Sequence, residues 1–189
     1  MSNIQLTSGL EQKKENISLL AKHSGVQASD CYQCGKCTAG CPAAFAMDKT
    51  PNQIMRLVQL GLLEEALKSK TIWVCASCST CSTRCPRNVD IANVMETLRI
   101  MAKEKGYITN KNMNIFHDVF LNSVERYGRV HEVGLILGYN LKTMNPLKDA
   151  QFGPAMFLKG KISPLPHSIN GKNEVKKIFE NARKRGGVK

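Results

Sequence analysis

The feature that most constrains this chain is one cysteine pattern written twice. Cys31, Cys34, Cys37 and Cys41, the last followed by Pro42, recur with every spacing preserved as Cys75, Cys78, Cys81 and Cys85 before Pro86. The two runs use all eight cysteines, so no thiol is left over. Three thiols separated by two residues each must lie on one tight coil of chain. The fourth, three residues further on and followed by a proline that turns the backbone, must point elsewhere. Whatever the chain folds into has to accommodate two such coils.

The C-x2-C-x2-C-x3-C-P run is the spacing with which bacterial-type ferredoxins hold 4Fe–4S clusters, three thiols on one cube and the fourth on the other. By that rule Cys31, Cys34, Cys37 and Cys85 hold a first cluster, and Cys75, Cys78, Cys81 and Cys41 a second. The crossing would staple the two runs together. Residues within the loops are small or polar, among them Gly35, Thr38, Ala39 and Gly40 in the first run and Ala76, Ser77, Ser79 and Thr80 in the second. Small side chains let backbone N–H groups approach cluster sulfurs, one of the levers on potential. Three other uses of eight cysteines compete. Four disulfides suit short secreted chains with little core. A C-x2-C pair is also half of a zinc site, but zinc needs four ligands and gives no reason for a third cysteine and a Cys-Pro ending, twice over. Free thiols would show no duplicated register.

At 189 residues with 42% hydrophobic residues, the chain can build a core. The opening Met-Ser-Asn-Ile-Gln-Leu-Thr has no basic stretch followed by an apolar one, so no signal peptide is expected. The longest uncharged apolar stretch outside the cysteine loops, Val133 to Leu141, is far short of the roughly 18 residues that suggest a membrane span. A cytoplasmic, reducing location is the expectation. The formal net charge is +12, and residues 159–189 carry nine Lys or Arg against two Glu. Such a tail suits an acidic protein partner or a solvated helix face. With no aromatic interleaving and no nucleic-acid motif, binding to nucleic acid is not expected.

Periodicity gives helices and almost no strand. A first helix is expected over 12–23, with Ile17, Leu20 and Ala21 on one face. A second follows Thr50 as N-cap and Pro51 as first residue, with an Ile54, Leu57, Val58 stripe. A short helix over 62–68 leads to the second run. Asp90 caps a helix to residue 105 whose Ile91, Val94, Met95, Leu98 and Ala102 keep helical spacing. Further helices are expected over 112–127, with Ile115, Val119 and Phe120 inward, and over 130–139. Residues 146–158 are interrupted at Gly153-Pro154. Ser163 to Pro166 reads as an extended linker, and 172–184 as a basic helix with Val175, Ile178, Phe179 and Ala182 on its apolar face. The fold class is therefore all-α: an α-helical ferredoxin module over 1–106 including the N-terminal helix, a helical extension over 107–162, and a linker with a basic helical arm over 163–189. Met95 belongs to a core stripe; Met144 to Met156, where the pattern breaks, suit an interface.

The strings Cys-Tyr-Gln-Cys-Gly-Lys-Cys-Thr-Ala-Gly-Cys-Pro (31–42), Thr-Pro-Asn-Gln-Ile-Met-Arg-Leu-Val-Gln-Leu-Gly (50–61) and Ile-Trp-Val-Cys-Ala-Ser-Cys-Ser-Thr-Cys-Ser-Thr-Arg-Cys-Pro (72–86), then Val-Asp-Ile-Ala, resemble the iron–sulfur relay subunit of methanogen heterodisulfide reductase. Iron–sulfur subunits of succinate dehydrogenase and of anaerobic glycerol-3-phosphate dehydrogenase share parts of the pattern. The resemblance implies a non-catalytic subunit of an oxidoreductase acting on a sulfur group in methanogenesis. Two 4Fe–4S clusters would relay electrons from the flavin-containing subunit to the catalytic one, which reduces the mixed disulfide of coenzymes M and B. A hydrogenase or formate dehydrogenase module would complete the complex. No catalytic residue is expected in this chain, which has no Gly-rich phosphate loop for a flavin. The alternatives are the iron–sulfur subunit of another anaerobic dehydrogenase or quinone-linked reductase and, more remotely, a zinc-stabilised nucleic-acid-binding module.

Overall fold

A computed structural model describes residues 6–146, 152–160, 163 and 165–184. Parts of the expected interrupted segment, linker and arm (residues 147–151, 161–162, Pro164 and 185–189) lie outside the described residues. Among the described residues no strand occurs, and the fold is all-α. The chain forms two compact units, residues 1–110 and 111–189.

The first unit opens with α1 (Leu6–Ser24), which begins earlier than the apolar pattern alone implied and ends where Gly25 turns into the left-handed region. The first cysteine run contains one helical turn, α2 (Lys36–Ala39). α3 (Pro51–Gln59) starts as expected, with Pro51 first and Gln53 Oε1 accepting the Thr50 N–H at 2.8 Å. α4 (Leu63–Leu67) and α5 (Thr71–Val74) follow. The second run holds another single turn, α6 (Thr80–Thr83), before the long α7 (Ile91–Glu104). Asp90 caps α7 by accepting the Asn93 N–H at 3.2 Å.

Leu20, Ile54, Met55, Val58, Leu67, Ile72, Trp73, Val94, Met95 and Leu98 form the core of this unit, each at most 2% exposed. Met95 is core filler, as its stripe implied. In α3 the buried face is Ile54, Met55 and Val58, while Leu57 is only half-buried. α3 packs against α1, α2 and α4, so its inward face is wider than one stripe and takes in Met55. At roughly 1.5–3 kcal/mol for each large aliphatic side chain buried, this core holds the unit together. The cysteine runs themselves bury only Cys37 fully.

In the second unit α8 (Lys111–Tyr127) packs against α9 (Glu132–Lys142) and α11 (Lys172–Lys184), with the short α10 (Gly153–Leu158) between them in sequence. Gly153-Pro154 opens α10 instead of interrupting a helix, because proline in the first turn costs no hydrogen bond. α8 turns Val119 and Ser123 inward, one helical turn apart; Phe120 lies on the flank, 37% exposed, with its ring beside Phe116. On α11, Val175 and Phe179 are half-buried, but Ile178 is 65% exposed and Ala182 is exposed. Arg183 is anchored by a two-pronged pair with Glu125 of α8 at 2.9 and 2.6 Å. Among the described residues no helix is long and apolar enough to cross a membrane.

Candidate metal centre

The two cysteine runs adopt the same backbone. The residues on either side of each central thiol take positive φ: Gln33 (63°) and Gly35 (77°) around Cys34, Ser77 (50°) and Ser79 (58°) around Cys78. Each left-handed non-glycine residue costs about 1–3 kcal/mol, and three of these four are not glycine. Alternating left- and right-handed residues make a concave nest of backbone N–H groups, a shape found around anions and iron–sulfur clusters. α2 and α6 then occupy the same place in each run and pack on one another.

The duplication reaches into the helices that follow. The Thr38 hydroxyl accepts the N–H of Asn52, second residue of α3, at 3.1 Å. The Ser82 hydroxyl, at the matching place in the second run, accepts the N–H of Ala92, second residue of α7, at 3.0 Å. Each run is thus tied to the start of its own helix. A side chain returns from the ninth residue of each helix. Gln59 Nε2 donates to the carbonyls of Ala28 (2.9 Å) and Cys31 (2.5 Å). Arg99 donates from Nε to Ile72 (2.8 Å) and from Nη2 to Cys75 (2.7 Å). The bridged carbonyls belong to corresponding residues, the first thiol of each run and the residue three before it.

A carboxylate joins the two halves. Asp48 accepts the hydroxyls of Ser69 (2.7 Å) and Thr71 (2.8 Å) and the N–H groups of Lys70 (3.1 Å) and Thr71 (2.9 Å) at the head of α5, just ahead of Cys75. Desolvation opposes its charge, but these donors outweigh it and hold the carboxyl well below the usual range. A further contact links the run ends. A Cβ at Gly40 would lie 2.6 Å from Cδ of Arg84, the residue at the matching position of the second run. A side chain at residue 40 would require Arg84 to swing aside.

The eight thiols line two cavities. Cys41, Cys75, Cys78 and Cys81, with Met47 and Met95, surround one of about 400 Å³, counted with its opening to solvent. Cys31, Cys34, Cys37 and Cys85, with Asn52 and Ile91, surround another of about 260 Å³ on the same measure. The donor set suits iron–sulfur clusters: four thiols around each of two hollows, with no carboxylate or imidazole among the lining residues. Among the described residues no three or more Cys, His, Asp or Glu side chains are gathered as a single-ion site.

The third thiol of each run is the inward one, and burial pushes both Cys37 and Cys81 up. A metal must displace those protons to bind. Cys34 and Cys78 reach the surface, and the Thr80 hydroxyl lowers the Cys78 thiol. Several sulfurs have donors at hand: Gln33 Nε2 to Cys31 (3.5 Å), the Val89 N–H to Cys85 (3.3 Å) and the Thr80 hydroxyl beside Cys78 (3.4 Å). The indole N–H of Trp73 is buried without a partner among the described residues, and Trp73 lines neither cavity.

The 4Fe–4S dicluster family model matches residues 30–90, the stretch that contains both runs. These residues are a 4Fe–4S dicluster domain. The chain binds two 4Fe–4S clusters, as its cysteine spacing predicted. Around this domain the chain resembles the iron–sulfur C subunit of heterodisulfide reductase. It is 45% identical over 78 residues to the iron–sulfur C subunit of CoB–CoM heterodisulfide reductase from Methanopyrus kandleri, covering 41% of each chain. To the second such C subunit of Methanocaldococcus jannaschii it is 41% identical over 98 residues, covering 52% of this chain and 50% of that one. A more distant similarity, 24% over 201 aligned residues, is to the 8-methylmenaquinol:fumarate reductase iron–sulfur subunit of Wolinella succinogenes, covering 96% of this chain and 60% of that one. The chain thus spans between two fifths and one half of these two heterodisulfide reductase sequences.

The cysteines are legible in the sequence, whereas Gln59, Arg99 and Asp48 are not. Aligning the helices after each run, as well as the runs, would have set Gln59 against Arg99. Nothing local marks Asp48.

Proposed function

We propose that this chain is a non-catalytic electron-relay subunit of a heterodisulfide-reductase-type complex. In this reading it carries electrons from a flavin-containing subunit to a catalytic one that reduces the mixed disulfide of coenzymes M and B. The observation that carries the reading is the pair of four-thiol cavities, set in a domain whose relatives are named as iron–sulfur subunits of heterodisulfide reductase. Cys31, Cys34, Cys37 and Cys85 would hold the first cluster, and Cys75, Cys78, Cys81 and Cys41 the second. The cavity linings, in which each fourth thiol sits with the other run, support that crossing. When bound, the clusters supply one-electron storage.

The chain's own residues supply position and insulation. Gln59 and Arg99 hold the backbone carbonyl of the first cysteine of each run, Thr38 and Ser82 fix each run to its helix, and Met47 and Met95 line the second cavity with apolar surface. Cys34 and Cys78 reach the surface and would be the nearest approach for redox partners. We assign docking to the helical extension over 107–162 and the basic arm over 163–189. Ile136, Leu137 and Leu141 on α9 and Phe157 and Leu158 on α10 are 47–84% exposed, an apolar surface of the kind that partners cover. A cytoplasmic site of action and a hydrogenase or formate dehydrogenase module upstream complete the reading.

A second reading, the iron–sulfur subunit of a quinone-linked reductase, draws on the similarity to the Wolinella succinogenes protein over nearly the whole chain. Anaerobic affinity purification of the tagged chain from its host separates the two. Recovery with a flavoprotein and a cysteine-rich subunit that reduces the heterodisulfide supports the first. Recovery with a dicarboxylate-reducing flavoprotein and quinone-dependent turnover overturns it.

A further inference from the structure

The internal duplication is broken at one chemically important place. The ninth residue of each helix bridges the same pair of carbonyls, but the bridge is an amide in the first half and a guanidinium in the second. The Arg99 side chain is only 12% exposed. Its partner Glu96, at 2.8 Å, is 45% exposed and also faces the Ser77 hydroxyl. Glu96 is hydrated on one side and binds only Nη1, so it offsets part of the charge. Nε and Nη2 remain turned to the chain that carries Cys75.

The first half has no buried counterpart. Lys36 lines its cavity and Arg87 lies nearby, but both are exposed, as is Arg84 between the run ends, and solvent screens them. Gln59 also accepts from Gln33 Nε2 at 3.3 Å, and Gln33 in turn donates to the Cys31 sulfur. Arg56 Nη1 reaches the same Gln59 oxygen at 3.4 Å, but Arg56 is exposed and solvent screens it, so the bridging group itself is neutral and no buried charge stands behind it. A fixed positive charge in a poorly solvated site favours the state with one more electron, and net charge around a cluster is a principal determinant of its potential.

We propose that Arg99 is a positioning and tuning residue that makes the second half, Cys75 to Cys81, the higher-potential stop, and so gives the relay a direction from first run to second. One electron leaves the first half as one arrives in the second. It is replaced from the upstream reductant of the partner protein and withdrawn by the downstream acceptor. The proposal rests on the presence of two clusters but not on which fourth thiol each uses, because Arg99 grips the carbonyl of Cys75.

The test is potentiometric titration of the full-length, cluster-loaded protein followed by electron paramagnetic resonance, with iron content measured in parallel. The two signals are assigned through Cys34→Ser and Cys78→Ser, each of which should weaken one. In the wild type the Cys78-linked signal should have the higher midpoint. Arg99→Gln, which copies the neutral first half, should lower that midpoint and leave the other in place. Arg99→Lys, which keeps the charge but loses the two-pronged grip, should leave it near the wild-type value. Equal shifts in Arg99→Gln and Arg99→Lys, or no shift in either with iron retained, would overturn the proposal. Should Arg99→Gln lose iron, the reciprocal Gln59→Arg decides: the Cys34-linked midpoint must rise, and an unmoved midpoint in the iron-loaded variant contradicts the idea. Absence of either signal from the wild type would instead defeat the two-cluster basis itself.

Discussion

At the scale of single residues, the side chains that matter most besides the cysteines are those that tie separate stretches together. Asp48 is exposed on one side yet satisfies four donors from residues 69–71. Asp48→Asn should cost about 1–2 kcal/mol at neutral pH after allowance for its exposure, read by denaturant unfolding of matched proteins. Its folded-state acidity is stronger than that of the unfolded carboxyl, so its contribution is complete above about pH 4. The gap between wild type and Asp48→Asn should narrow as the pH falls below that value. A gap that widened on acidification would contradict the assignment. No sequence rule singles out Asp48, because its donors lie some twenty residues away and only folding brings them to it. The thiols were legible for the opposite reason: their spacing is itself the geometry of the ligand set.

Between elements, close approach is the controlling quantity. Gly61 ends α3 with φ at 68°, and a Cβ there would sit 2.6 Å from the Lys13 backbone of α1. Its carbonyl also accepts Asn16 Nδ2 at 2.9 Å. Gly61→Ala should therefore destabilise by more than the roughly 1 kcal/mol of the backbone conformation alone. A loss of that size or less in thermal unfolding would show that α1 yields freely. Helix positions followed from caps and apolar spacing: Thr50-Pro51 and Asp90 start α3 and α7 where the sequence said they should. Faces were harder to read. Met55 displaced Leu57 from the centre of α3, and Phe120 moved to the flank of α8, because the angle at which neighbouring helices arrive is not written in either helix alone. Gly153-Pro154 reads as an interruption in the sequence, yet the same residues serve as a helix start.

For the whole molecule, all eight cysteines and every side chain that braces them lie within residues 1–110. A fragment ending at residue 110 should therefore keep about eight irons, the content of two cubes. Substantial loss of iron from that fragment would show that the second unit supports the clusters. The duplication repeats one device, a coil of three thiols, a hydroxyl tie and a bridge from the next helix, with the two copies packed through α2 and α6. The central claim is that the copies exchange their fourth thiols, and spectroscopy of Cys41→Ser and Cys85→Ser tests it most directly. Loss of Cys41 should damage the cluster of the second run, and loss of Cys85 that of the first; a lesion confined in each case to the mutated run would contradict the crossed arrangement.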